Sequence, residues 1–334
     1  MQLFNLTPFA ADRVVTSSRQ GRDTLLVVVK GTFSLASQER GVPLLAAEQA
    51  PITLVDTYAG EPGQSSLSRP SDLVPEKPGA EVFVTGHLIP AQSGVGVLDV
   101  ALTLGTVDKQ VRVFGDRVWE RSVFGYRASA PAPITRMPIA WERAFGGFDE
   151  TTQERFGPNP IGCGFMGKKS QAKLVGTPVP NFVDRGAPLE APGDQGRAVG
   201  FGALAPAWAE RRQYAGTYDD AWLRDTSPFL PDDFDVRYFL AAPADQRLSR
   251  PLVGGERGRL GGLAPDGQLD FLVPRARLEI EAMMGAELES MAVVCDTVIL
   301  ELDSQALVLV WRARLDVQDR LDELRWIRVA EVGR

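Results

Sequence analysis

Few residues in this chain have side chains suited to catalysis or metal binding. It holds one histidine, His87, and two cysteines, Cys163 and Cys295. Any Ser-His-Asp or Cys-His device would have to use His87. That residue lies in the run EVFVTGHLIP, where alternation sets it beside Phe83 and Thr85 and away from Val82 and Val84. Neither face reads as a cleft, so His87 is read as structural or surface-exposed. A zinc site needs closely spaced ligand pairs, and His87, Cys163 and Cys295 are isolated from one another. The two cysteines are expected to be reduced thiols, with a disulfide left open. The segment Gly162 to Ser170, GCGFMGKKS, approaches a phosphate-binding loop. It places Lys169 where the magnesium-binding hydroxyl belongs, and GPNPIG precedes it where a buried strand is required.

Carboxylates are the remaining catalytic resource. Asp219, Asp220, Asp232, Asp233 and Asp235 cluster between aromatics and prolines, and a pair of them could serve as general acid and base or hold a hard metal ion. Their spacing fits no calcium loop, and Asp in such surroundings usually accepts backbone N–H bonds in turns and helix caps. Arg143, Arg155, Arg224 and Arg237 are expected to form the buried ion pairs that an irregular segment needs to stay folded. The reading is a chain with no catalytic residue, no cofactor and no metal ligand. A hydrolase using an aspartate pair within 219–235 is the alternative.

The elements that position these residues read as mainly β. Thr24 to Phe33, Ile52 to Tyr58, Glu81 to Ile89, Val95 to Leu104, Val236 to Ala242, Arg277 to Met283 and Ala292 to Asp303 are rich in β-branched and aliphatic residues and predict strands. Val111 to Glu120 predicts a hairpin turning at Gly115-Asp116, and Leu302 to Gln305 a second turn leading into Ala306 to Arg312. Gly60 to Pro78 reads as an exposed polar loop. From Ala128 to about Pro231 periodicity nearly disappears, but Trp141, Trp208 and Trp222 with many phenylalanines argue for a wrapped, ordered segment. Short helices are predicted around Ile139 to Phe145 and Ala205 to Gln213. One more is predicted from Val317, Leu321 and Leu324, opened by Asp316 and Asp319. The architecture expected is one large domain over 1–334. It has two sheet-forming, sandwich-like halves (1–127 and 235–334) around a loop-rich central module (128–234) with few helices.

Two blocks organise that module, Pro138 to Phe165 and Gly216 to Phe239. In the first, Trp141, Phe145, Phe148, Phe156 and Phe165 alternate with Gly146, Gly147, Gly162 and Gly164 and with Pro158 and Pro160. Large rings and backbone-permissive residues together predict a fixed, buried loop.

With 36 basic and 43 acidic residues, net −7, the chain has no electrostatic footprint for nucleic acid. Its longest aliphatic run, Leu25 to Val29, is far short of a membrane span, and MQLFNLTPFAADR lacks a signal-peptide pattern, so a cytoplasmic location without membrane insertion is expected.

The ordered motifs W141ERAFGG, N159PIGCGF, P180NF, G200FG with Trp208, G216TYDDAW, P231DDFD, A241APADQ, G254GE, D296TVILELD and V310WR span nearly the whole chain. They resemble an uncharacterised family encoded beside type VI secretion spike genes in bacteria. The resemblance implies a non-enzymatic effector adaptor or chaperone that binds a secreted effector and helps load it onto the VgrG spike, with the spike as a second partner. A structural component of the secretion assembly is a further alternative. The family-motif positions it marks, as structural or partner-contact residues, are Trp141, Arg143, Gly146, Gly147, Asn159, Pro160, Gly162, Gly164, Asp219, Trp222, Asp233, Phe234, Gln246 and Trp311. No catalytic role carries over.

Overall fold

A computed structural model describes residues 2–17, 21–318 and 320–332. The organising strand is Asp23–Glu39. Its run TLLVVVKGTF is apolar without a break because both faces are covered. Leu25, Val27 and Val29 enter the main core, while Leu26 and Val28 join a small second cluster with Val310, Val14, Ile52 and Leu73. Around it a seven-stranded sheet runs in the order Ala10–Ser17, Asp23–Glu39, Ala306–Asp316, Val293–Glu301, Ala80–Thr85, Arg247–Leu248, with Val42–Leu45 also paired to Asp23–Glu39. The pairing of Val293–Glu301 with Ala80–Thr85 is parallel and the remaining pairings are antiparallel.

A five-stranded sheet follows the order Phe182–Val183, Val107–Phe114, Val97–Leu104, Arg257–Gly261, Gln268–Leu272. A four-stranded sheet joins Gln2–Asn5 to Leu324–Glu331, then Leu278–Met284 and Glu287–Met291. Among the described residues the fold is mainly β with several sheets and no closed barrel. The strand-rich ends of the chain interleave: each of these sheets takes strands from both sides of the central segment.

Several local expectations are overturned. Val111 to Glu120 is no hairpin, since Val107–Phe114 returns on Val97–Leu104 and Arg117–Ser122 pairs with Gly125–Ala128. Gly115 is needed for a crossing instead: a Cβ there would lie 1.7 Å from the Ala132 carbonyl oxygen. Val236–Phe239 is a 3₁₀ turn, because the Asp235 carboxylate caps it by accepting from the Arg237 amide at 2.8 Å. That local cap prevails over strand propensity. The helix predicted near the C-terminus shrinks to a 3₁₀ turn, Leu321–Glu323, since Leu324 opens a strand held between Gln2–Asn5 and Leu278–Met284. Asp319 lies outside the described residues. Of Ile52 to Tyr58 only Thr57–Tyr58 is a strand.

The hairpin through Leu302 to Gln305 forms as predicted, joining Val293–Glu301 to Ala306–Asp316. The expected short helices appear as a 3₁₀ turn at Trp141–Arg143 and an α-helix at Ala209–Arg212, with an unanticipated helix at Asp220–Asp225.

Gly60 to Pro78 is only partly the exposed loop expected. Ser66, Leu67 and Asp72 are buried, and the Lys77 side chain is 3% exposed. This strap covers one face of the large sheet through charge. Lys30 binds Asp72 at 2.8 Å, Lys77 binds Glu81 at 2.5 Å, and Arg312 binds Asp296 at 2.6 Å while donating to the Asp72 carbonyl oxygen. The ladder register slips at Asp296, between Cys295 and Thr297, so this acid is an extra residue aimed at Arg312. Removing one partner would strand a charge in a dry interior, so these pairs hold the strap in place and fix its position.

Candidate functional site

The central module is built around Asn159, which is fully buried. Its side-chain amide donates to the carbonyls of Trp141 (2.8 Å) and Phe145 (3.2 Å), and its own carbonyl accepts from the Gly147 amide at 2.8 Å. These bonds fold the segment after Trp141 over the segment before Cys163, so that Phe145–Gly146 and Cys163–Gly164 run as a short parallel pair. A Cβ at Gly146 would lie 2.2 Å from the Asn159 carbonyl oxygen, and one at Gly162 would lie 2.4 Å from its Nδ2. The glycines of the motif therefore mark where backbone meets backbone.

Trp141 closes the knot from one side. It is 3% exposed, its indole N–H donates to the Ala203 carbonyl at 3.0 Å, and its ring meets Trp208 edge-on at 5.6 Å. Arg143 points outward, to Asp116 at 2.8 Å and Asn181 at 3.1 Å. The Asn181 amide and then the Arg143 guanidinium hold the Asp116 carboxyl below the usual range, against the opposing effect of burial. The Ser66 hydroxyl donates to Glu142 and accepts from the Trp141 amide, which ties the strap to the same knot.

Clefts open on both sides of the ridge Arg155 to Pro160. One, of about 460 Å³, is lined by Tyr58, Arg155, Gly157, Pro160, Trp208 and Arg212. The other, of about 370 Å³, has Lys109, Trp141, Phe156, Pro158, Glu210 and Asp245 among its lining residues. Its carboxylates are already engaged, Asp245 by Lys109 at 2.8 Å and Glu210 by Arg247 at 3.0 Å. Burial lowers the Lys109 pKa and Asp245 opposes that shift. Gln246, also fully buried, accepts from Lys109 at 2.8 Å and donates to the Val82 and Phe201 carbonyls, so its amide is used at both ends.

The second block attaches through Arg211, buried between the Leu204 carbonyl (2.8 Å) and the Tyr238 carbonyl (3.1 Å). Asp219, Asp233 and Asp235 do cap and turn work, as the sequence suggested. Asp219 accepts from the Trp222 amide at 2.8 Å as the cap of the Asp220–Asp225 helix. Asp233 accepts from the Thr217 amide and hydroxyl at 2.9 and 2.7 Å. Phe234 is buried among Tyr238 and Phe239. Trp222 is only half-buried, with its indole N–H on the Phe229 carbonyl. Trp311 lies apart from the module, stacked on Phe9 at 5.5 Å within the large sheet.

The family DUF2169, described as an uncharacterized protein conserved in bacteria, matches residues 20–312. The chain belongs to this family. The match covers the strap, the Asn159 knot and most of the interleaved sheets, so these are features of a DUF2169 chain. No curated protein and no solved structure matches.

The remaining candidates carry no site either. His87 pairs with Asp303 at 2.8 Å on a half-exposed edge. Both cysteines are free thiols, and burial pushes the Cys163 thiol up to about 11. In the segment resembling a phosphate loop, the Gly167 amide is bound by the Asp149 carboxylate at 2.9 Å, which leaves an anion no access to it. Among the described residues no cluster of His, Cys, Asp and Glu could hold a metal, and no helix is long and apolar enough to cross a membrane.

Sequence reasoning missed the buried charges Lys30, Asp72, Lys77, Glu81, Asp296, Arg312, Lys109 and Arg211. For the sheet residues the signal was present: a lone charge interrupts an apolar strand run in VVVKGTF, AEVFV, VVCDTVIL and VLVWRA.

Proposed function

We propose that this chain is a non-enzymatic adaptor or chaperone of type VI secretion, which holds a secreted effector and helps load it onto the VgrG spike. The observation that carries the reading is how the motif residues are used. Asn159, Gly146, Gly147, Gly162 and Gly164 build a rigid knot, Gln246 is saturated inside the fold, and Asp219 and Asp233 are occupied in a cap and a turn. A scaffold that spends its most distinctive residues on shape suits a protein that presents surfaces to partners. The resemblance to proteins encoded beside spike genes supplies the identity of those partners.

The test is co-expression with the effector and the VgrG protein encoded beside this gene, followed by size exclusion. A stoichiometric complex that keeps an otherwise insoluble effector in solution is the expected outcome. Failure of both neighbours to associate at any ionic strength would refute the reading. Substituting Asp219 or Asp233 is expected to leave partner binding unchanged, whereas a hydrolase using that pair would lose turnover at an unchanged melting temperature.

A further inference from the structure

The large sheet ends on one side in Ala10–Ser17, a strand of eight residues. Its inner side pairs without a break to Asp23–Glu39. The Arg13 amide bonds to Asp12 Oδ1 at 2.8 Å instead of joining the ladder. In an antiparallel pair this identifies the odd-numbered residues as those whose peptide groups point away from the sheet. Among the described residues, no backbone group pairs with the outward amides and carbonyls of Ala11 and Val15. Natural sheets block such an edge with proline, lysine, a bulge or a covering segment. The strand AADRVVTS has no proline or lysine and its register is unbroken, so among the described residues the Asp12 carboxylate on the Arg13 amide is its one local guard. At the end of the strand a cleft of about 270 Å³ opens, with Thr16, Ser17, Leu230, Phe234, Val236 and Phe239 in its wall.

We infer that this edge receives an extended segment of the bound effector as an added strand, an inference that rests on the adaptor reading above. The groups on offer, alternating N–H and C=O at strand spacing, are complementary to another extended backbone. The cleft at the Ser17 end, whose wall also carries Thr24, Glu76, Arg314 and Asp316, would receive a side chain at the end of the incoming segment. Asp12 and Arg13, paired with each other at 3.2 Å, leave the edge without net charge to reject an acidic or a basic segment.

The experiment uses the full chain and the effector encoded beside its gene. Ala11→Pro and Val15→Pro each remove an outward N–H that no backbone group binds among the described residues, without touching an inner ladder bond, and proline is tolerated at such positions of an edge strand. Each is expected to weaken the complex about tenfold or more while the melting temperature of the free protein stays near that of the parent. Hydrogen exchange supplies a readout that does not depend on the variants folding: amides within 10–17 of the parent chain become protected in the complex. Unchanged binding by both folded variants, or a complex without that protection, overturns the strand inference and leaves the adaptor reading intact. A parent chain that binds no effector defeats both. Sedimentation of the free protein as a dimer that dissociates in Ala11→Pro would overturn the choice of occupant and assign the edge to a second copy.

Discussion

Asn159→Ala tests the idea that the central motif is architecture. The substitution removes two side-chain hydrogen bonds, to the Trp141 and Phe145 carbonyls, in a place closed to water. At a net ~0.5–1.5 kcal/mol per bond they account for about 1–3 kcal/mol. The void left by the amide adds to this, giving a loss of about 2–4 kcal/mol. Among the described residues Asn159 Oδ1 has no hydrogen-bond partner, so its removal relieves part of the loss and favours the lower half of that range. The assay is urea unfolding followed by tryptophan fluorescence, to which Trp141 and Trp208 report from within the same packing unit. Asn159→Asp is the sharper variant, because at neutral pH it sets a carboxylate against two carbonyl oxygens. The introduced carboxyl has a folded-state pKa raised above its unfolded value. The stability of this variant is therefore best below about pH 4 and falls as pH rises through the raised value. A change below about 0.5 kcal/mol for Asn159→Ala would place this position among ordinary surface substitutions and refute the knot as the organising element.

Three further outcomes are expected. Trp141→Ala is predicted to cost about 3–5 kcal/mol, and Trp222→Ala only about 1–2, since the second ring is half-buried; equal losses in denaturant titrations would contradict the burial difference. Asp72→Ala leaves Lys30 buried without its counter-charge and is predicted to cost about 3–5 kcal/mol, while the pair Lys30→Met with Asp72→Leu recovers most of it; a double variant as unstable as the single one would mean that the hydrogen bonds, not the charge balance, hold the strap. Burial opposes the charge on Asp149, but the Ser170 and Thr151 hydroxyls and the Gly167 and Thr151 amides outweigh it and depress its pKa. That stabilisation is present above about pH 4 and lost as pH falls through the lower folded value. Asp149→Asn should therefore flatten the acid limb of a melting-temperature profile, and parallel limbs would count against the assignment.

The mainly β fold was legible because strands such as TLLVVVKGTF and AVVCDTVILEL carry β-branched runs that no helix period explains. The wrapped centre was legible from its aromatics, and Asp219 and Asp233 from their turn chemistry. Pairing was not legible. Gly115-Asp116 has the composition of a hairpin turn, yet its glycine is set by a contact with Ala132, seventeen residues on, and VRYF yields to a cap only two residues long. In both places a specific tertiary or local bond overrides propensity. The charges beneath the strap left a trace as interruptions of apolar runs, but lone charged residues in strands usually face solvent, and only the fold shows that Lys30 and Asp72, or Arg312 and Asp296, meet.

The interleaving of the sheets sets a timetable for synthesis. Asp23–Glu39 takes its partner on one side from Ala306–Asp316, so this apolar strand stays half-paired until nearly the whole chain has left the ribosome. At ~5–20 residues per second the roughly 270 intervening residues take some tens of seconds. During that time the run Leu25 to Val29 has an open edge exposed to every other nascent chain. Because so many of its pairings span most of the chain, folding is slow once synthesis ends. Truncation anywhere before Ala306 removes the centre of the large sheet, so fragments lacking the last thirty or so residues are expected to aggregate and not to yield a smaller folded domain.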